Sequence, residues 1–272
     1  MSSSLVLVAP ALLLAASAVR WHRGRRHELY RKLARKRASI VVAHAPIIAS
    51  TTDPGSLRER FALDGLIRVG AFLTPESLAA LKQECATCLA HVERSYLPGH
   101  KKGGTLSYEG VQRFAPASLA VYHSADLQRW LGEVVGEPLR ATPDQDQSSC
   151  SLLYYTEPGD HINWHYDHNF YRGRHFTILL AVVNRSADGA LSAGSLQRKS
   201  SSGDLLDVDT SENTLVIFEG ARVLHRASPV APGDRRVMLS MTLCTDPRNG
   251  VVAELARRIK DTAYFGFRAL VD

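Results

Sequence analysis

From Cys150 to Asp246 the apolar residues come in short runs separated by Gly, Pro, Asp and Ser: "SLLYYTEPGD", "INWHYD", "HFTILLAVVN", "GALSAGSLQRK", "TLVIFEG" and "RVMLSMTLCTD". Runs rich in Leu, Val, Ile, Thr and Tyr at this spacing predict successive strands of a sandwich or barrel. Upstream the period lengthens. In "FALDGLIRVGAFLTPESLAALKQECATCLAHVER" a strand-like alternation gives way to Thr74, Pro75, Glu76 and Ser77. An N-cap, a first-turn proline and an early acid predict a helix start. Leu81, Cys85, Cys88 and Val92 then recur at helical spacing as one apolar stripe. A lone C-x-x-C lacks the second pair of ligands that a structural zinc site needs. "ADLQRWLGEVVG" predicts a further helix and "VVAELARRIKDTAYFGF" an amphipathic helix near the end of the chain. The glycine-rich, charged stretch 98–110, "PGHKKGGTLSYEG", reads as a long loop that either covers a substrate or forms a surface connection.

The N-terminal pattern is different. Residues 1–19 hold no charged side chain and include "LVLVAPALLLAASAV", followed directly by "RWHRGRRHELYRKLARKR". An apolar run, a basic cluster on one side and Trp21 at the junction predict an N-terminal membrane anchor carrying a cytosolic domain. A signal peptide cleaved near Ala16-Ser17-Ala18 and a soluble cytoplasmic chain are the alternatives. The stretch Glu28 to Lys36 lacks helix breakers and predicts a helix lying on the membrane surface, and "TTDPGS" (51–56) marks a linker. The expected organisation is therefore an apolar segment and basic helix (1–40), a linker (41–58) and a catalytic-size domain (59–272).

Charge changes the picture only once it is located. Of the formal +6, Arg20 to Arg37 contributes nine Lys/Arg less Glu28, or +8, leaving 6 − 8 = −2 for the rest. The main domain is mildly acidic, so the basic balance does not point to nucleic acid. Four scattered cysteines in 272 residues are too few for a disulfide scaffold and fit a reducing compartment.

The chemistry-bearing cluster is His161 with "INWHYDHN" (162–169). On a strand, residues two apart share a face, so His165 and Asp167 can aim an imidazole and a carboxylate at one point. An isolated H-x-D is common by chance, but His225 follows 60 positions later beside another strand, where a closed β architecture can bring it to a third vertex. Two histidines and a carboxylate on one face of an iron leave three positions open. His161 sits at the "EPGD" turn and His168 faces away from His165, so both are expected outside the ligand set. Asn163 shares the parity of His165 and either lines the pocket or satisfies the strand edge. His123 and His175 have no partner pattern and read as ordinary polar or partly buried residues.

The order H-x-D, a distant H, then P-V-x-x-G-x-R in "PVAPGDR" resembles the Fe(II)- and 2-oxoglutarate-dependent dioxygenases, particularly the prolyl 4-hydroxylase-like and phytanoyl-CoA dioxygenase-like groups. The resemblance spans residues 60 to 245 and is sharpest over 150–182 and 214–243. It implies a mainly β fold with flanking helices around a double-stranded β-helix (jelly roll, cupin-like) core. It implies Fe(II) on His165, Asp167 and His225, with 2-oxoglutarate and O2 as cosubstrates and no catalytic side chain beyond the metal centre. Arg235 matches the residue that pairs with the far carboxylate of 2-oxoglutarate, with Arg236 as the alternative because only one of two strand neighbours points inward. Tyr155, rather than Tyr154, matches the cosubstrate tyrosine. "RGRHFTILLAVVN" resembles the strand after the H-x-D turn and puts Thr177 and Leu179 against the cosubstrate. "DGALSAGS" departs from the G-G-x-T of many relatives, and Asp167 departs from the related halogenases, which carry a small residue there. The implied reaction is hydroxylation of a C–H bond in a small-molecule or lipid-linked substrate, with release of succinate and CO2. A cupin-like metal enzyme that does not use 2-oxoglutarate and a membrane-anchored β-sandwich binding module are the other readings.

Overall fold

The computed structural model describes residues 3–200 and 202–265; ahead of Gly24 the only side chains described are those of Ser17 and Trp21. The apolar run on which the anchor expectation rests thus has its side chains outside the described residues. Among the described residues no helix is long and apolar enough to cross a membrane.

The chain begins with α1 (Ser3–Ala43), α2 (Pro54–Asp64), β1 (Leu66–Val69) and α3 (Pro75–Cys88). After these come β2 (Glu93–Leu97), β3 (Lys101–Leu106), α4 (Tyr108–Phe114), α5 (Pro116–Tyr122), α6 (Ala125–Val135) and β4 (Arg140–Ala141). The β-rich half holds β5 (Cys150–Tyr155), β6 (His161–His165), β7 (His175–Arg185), β8 (Leu196–Lys199) and β9 (Leu205–Val208). It closes with β10 (Leu215–Phe218), β11 (His225–Ala227), β12 (Arg235–Cys244) and α7 (Val251–Phe265).

The helix starts follow local chemistry. Thr74 Oγ1 accepts from Ser77 N at 3.3 Å to cap α3, whose buried face carries Leu81, Cys85 and Cys88. "TTDPGS" is itself a helix start: Asp53 Oδ2 accepts from Ser56 N at 2.9 Å, and Gly65 ends α2 at φ 65°. The basic stretch 28–36 is helical, within the single long α1, but it packs on the domain. Tyr30 is buried, Arg26 pairs with Glu109 at 2.5 Å and Arg37 with Asp144 at 2.6 Å.

The strands form one antiparallel sheet in the order β1-β10-β7-β12-β5-β3-β6-β11-β8-β9, with β2 on β3 and β4 on β12. It curls into a nearly closed, barrel-like jelly roll with flanking helices. Strand parity sorts the side chains. Val237, Leu239, Met241 and Leu243 of β12, Leu152 and Tyr154 of β5, and Phe176, Ile178 and Leu180 of β7 join the core that also takes in Leu81, Leu119 and Leu131 from the helices. The alternate residues, Met238, Ser240, Thr242, Ser151, Leu153, Thr177 and Leu179, line a cavity on the opposite face.

The loop expected over 98–110 is instead a central strand in its middle part. β3 pairs with both β5 and β6. Its glycines serve close approach: a Cβ on Gly104 would lie 2.5 Å from Val92 Cγ1 and 3.2 Å from Tyr154 Cβ. Of this stretch, His100, Lys101 and Thr105 line the cavity.

Candidate metal centre and cosubstrate cavity

His165 ends β6 and His225 begins β11, and the two strands pair with these residues opposite each other. Asp167 follows β6 after one residue and is tied back by its N–H to Gly220 O at 3.0 Å. One ligand atom from each of the three residues lies within 4.8 Å of the others, and the imidazole rings are 4.2 Å apart. His165 Nε2 is 3.5 Å from Asp167 Oδ1, and His225 Nε2 is 3.9 Å from Asp167 Oδ2.

The imidazoles are oriented from behind. His165 Nδ1 donates to Asn163 O at 2.7 Å and His225 Nδ1 to Val223 O at 2.9 Å. A carbonyl oxygen only accepts, so each Nδ1 carries the proton and each Nε2 keeps its lone pair for a metal. Burial pushes the His225 pKa down, which favours the neutral, ligating form. For Asp167 burial pushes up, but the adjacent His165 and His225 rings and the Thr177 hydroxyl hold its carboxyl below the usual range. Thr177 Oγ1 donates to Asp167 Oδ2 at 2.5 Å. Two imidazoles able to offer Nε2 and one carboxylate are a donor set that suits Fe(II).

The cavity has a volume of about 590 Å3. Arg236, 2% exposed, projects into it with its guanidinium 5.1 Å from the Tyr155 ring centre, and its Nε has no hydrogen-bond partner. Arg235, the preferred reading of the sequence, is exposed and does not line the cavity. The reason is parity: Arg236 shares its face with Met238, Ser240 and Thr242, whereas Arg235 shares the face of Val237 and sits at the strand's exposed end. That alternation of polar and apolar residues along β12 was the signal in the sequence. Tyr155 lines the cavity opposite Arg236, while Tyr154 lies in the helix-backed core with its hydroxyl on Cys85 O at 2.9 Å.

Asn163 does not line the cavity. The β6–β11 pairing shifts register between His225 and Ala227, so Ile162 and His165 face inward and the residues between do not. Asn163 contributes its carbonyl to His165, and its amide donates to Gly99 O at 3.1 Å. His161 is held by Gly159 O at 2.8 Å and His123 by Tyr108 Oη at 2.8 Å, both away from the cluster. His168 and the buried His175 line the cavity without joining the three clustered residues.

Four further residues belong to this site. Lys101 is 4% exposed, with Nζ donating to Thr105 Oγ1 at 2.9 Å and standing 5.3 Å from the Tyr264 ring centre. Burial pulls its pKa down to about 8. Neither Lys101 nor Arg236 has a carboxylate partner among the described residues, so the cavity holds two buried cations that an anion would satisfy. His100 stacks edge-on against His165 at 5.7 Å and hydrogen-bonds the Tyr264 hydroxyl from α7. A Cβ on Gly220 would overlap the Asp167 carboxylate. Within the departing "DGALSAGS", Gly194 keeps a close approach to Val230 Cγ1, 2.5 Å from a built Cβ, beside the Arg236 stem. Lys101 and His100 were hidden because β3 reads as a loop.

Among solved structures the chain resembles a prolyl-4-hydroxylase of Pseudomonas putida at TM-score 0.55 and 17% identity, covering 72% of this chain and 100% of that one. It resembles the epimerase SnoN in complex with Fe3+, α-ketoglutarate and nogalamycin RO at TM-score 0.59 and 15% identity, over 74% and 89%. A prolyl hydroxylase of Trichoplax adhaerens, in complex with a hypoxia-inducible-factor peptide, matches at TM-score 0.57 and 15% identity, over 71% and 89%. The fold is that of the 2-oxoglutarate- and Fe(II)-dependent oxygenases. No protein-family profile and no curated protein matches the sequence. In this fold His165, Asp167 and His225 cluster at the cavity that also holds Arg236 and Lys101.

Proposed function

We propose that the chain is an Fe(II)- and 2-oxoglutarate-dependent oxygenase that oxidises a C–H bond, most simply by hydroxylation, in a small-molecule or lipid-linked substrate. The observation that carries this reading is the convergence of His165, Asp167 and His225 in one cavity with the buried Arg236, which has no carboxylate partner among the described residues and stands beside Tyr155. His165, Asp167 and His225 would hold the iron. Arg236, with Tyr155, would hold the far carboxylate of 2-oxoglutarate, its planar fork matching a carboxylate in two charge-assisted hydrogen bonds. When bound, iron and 2-oxoglutarate together supply the activation of O2 that produces succinate and CO2. Lys101 adds a second positive charge, and Thr177 and Gly220 fix the Asp167 carboxylate. The apolar lining from Leu153, Leu179, Leu196 and Met238 excludes water and positions the substrate.

The same proposal gives residues 1–19 the role of a membrane anchor, with the domain on its cytosolic side. Purified full-length chain with Fe(II), ascorbate and labelled 2-oxoglutarate should release labelled CO2 and succinate, and His165→Ala should abolish both. Iron uptake without succinate would mark a metal enzyme of other chemistry, and an iron-free chain indifferent to the substitution would mark a binding module.

A further inference from the structure

Helix α7 presents three faces. Arg257, Asp261 and Phe265 are buried against the domain, and Ala256, Lys260 and Tyr264 line the cavity. The third face carries Val251, Val252, Leu255 and Ile259, which are 89%, 83%, 55% and 58% exposed. At 100° per residue these four fall within an arc of about 100°, a continuous apolar stripe. Ile259 belongs to both this stripe and the cavity lining, so the stripe runs into the cavity mouth.

The buried face of α7 is joined to α1 through a short segment. Arg257 Nη1 donates to Gln145 O at 2.9 Å, and Asp261 Oδ2 accepts from Gln147 N at 3.4 Å. From the other side Arg37 Nη2 donates to Asp144 Oδ1 at 2.6 Å, and Gln147 Nε2 to Tyr30 Oη at 2.9 Å. The helix that carries the apolar N-terminal run and the basic cluster is therefore braced against the helix that carries the exposed stripe. Proteins leave a contiguous apolar face in water only when something else covers it.

We infer that the outward face of α7 is a lipid-contact surface that lays the cavity mouth against a bilayer, so that the substrate is an amphipathic molecule resident in the membrane. The inference rests on the membrane-anchor reading and goes beyond it, since an anchor alone leaves the orientation of the domain free. A second copy seated on the same stripe would close the mouth at Ile259, whereas a bilayer delivers substrate through it.

The test uses the full chain, with sedimentation on vesicles of phosphatidylcholine alone and of phosphatidylcholine with phosphatidylserine. V251Q/V252Q/L255Q, all outside the cavity lining, should lower partitioning about tenfold while leaving substrate-free 2-oxoglutarate turnover unchanged. L12Q/L13Q/L14Q tests the anchor separately. If only the second variant loses binding, the anchor stands and the α7 surface is overturned; if neither does, both readings fall. Hydrogen exchange on the unsubstituted chain guards against a folding artefact. Amides 251–259 should be protected by vesicles, and unchanged exchange there, or protection by self-association without vesicles, contradicts the inference.

Discussion

Asp167 is held from three sides, by the Thr177 hydroxyl, the His165 ring and the closely approaching Gly220. A methyl group at Gly220 would stand 2.7 Å from Thr177 Oγ1 as well as overlapping the carboxylate, so it must push the ligand out of place. Gly220→Ala should weaken iron binding by about tenfold to a hundredfold, the usual effect of disturbing a ligand's support, as read by metal titration, while the melting temperature changes little. At the other end of the cavity, losing a buried charge-assisted contact corresponds to about 1.5–3 kcal/mol. Arg236→Met should therefore raise the KM for 2-oxoglutarate by roughly tenfold to a hundredfold, with partial rescue by Arg236→Lys and no change for Arg235→Met. Lys101 sets a pH dependence. With a pKa of about 8 it is a cation below that pH and neutral above it, so 2-oxoglutarate affinity should fall as pH rises through 8. Lys101→Met should flatten that step. Because the folded pKa lies below the ordinary 10.5, the unfolded chain binds more protons between the two values, and this group's contribution to stability rises with pH across that window.

At the scale of elements, the connection from β5 to β6 sets the distance between Tyr155 and His165. Fully buried Asp160 organises it, pairing with Arg94 at 2.6 Å and accepting from Thr156 N and Glu157 N at 3.0 Å each. Asp160→Ala leaves the Thr156 and Glu157 N–H groups without their acceptor, while the partly exposed Arg94 keeps Glu157 at 3.0 Å. It should destabilise the fold by about 1–3 kcal/mol, measured by denaturant unfolding, and loosen the turn that precedes His165. The strands around this turn were legible from alternation and turn residues, as was the capped start of α3. β3 was not, since Gly103 and Gly104 have no side chains to show a period and reveal their purpose only through the closeness of Val92 and Tyr154. Parity alone left Asn163 open, and a register shift that is invisible in a single strand selects the strand-edge alternative over the cavity.

For the whole molecule, the sheet brings residues 60 and 81 positions apart in sequence into one cavity. Arg236 of β12 lies opposite Tyr155 of β5, and His225 of β11 opposite His165 of β6. The family pattern named the four contributing segments, but not which of two adjacent arginines points inward, nor the cation that β3 adds. Long-range pairing decides both. The junction of α1 with the domain was equally hidden, because Arg26 and Arg37 read as part of a basic cluster while their partners Glu109 and Asp144 lie in distant segments. The central claim joins the metal cluster to the arginine in one binding event, and an anaerobic calorimetric titration of the full chain tests it most directly. One Fe(II) per chain should bind, 2-oxoglutarate should bind tightly only afterwards, and Arg236→Met should weaken the second step without touching the first. Absence of stoichiometric iron, or 2-oxoglutarate binding that ignores both iron and Arg236, would contradict the account.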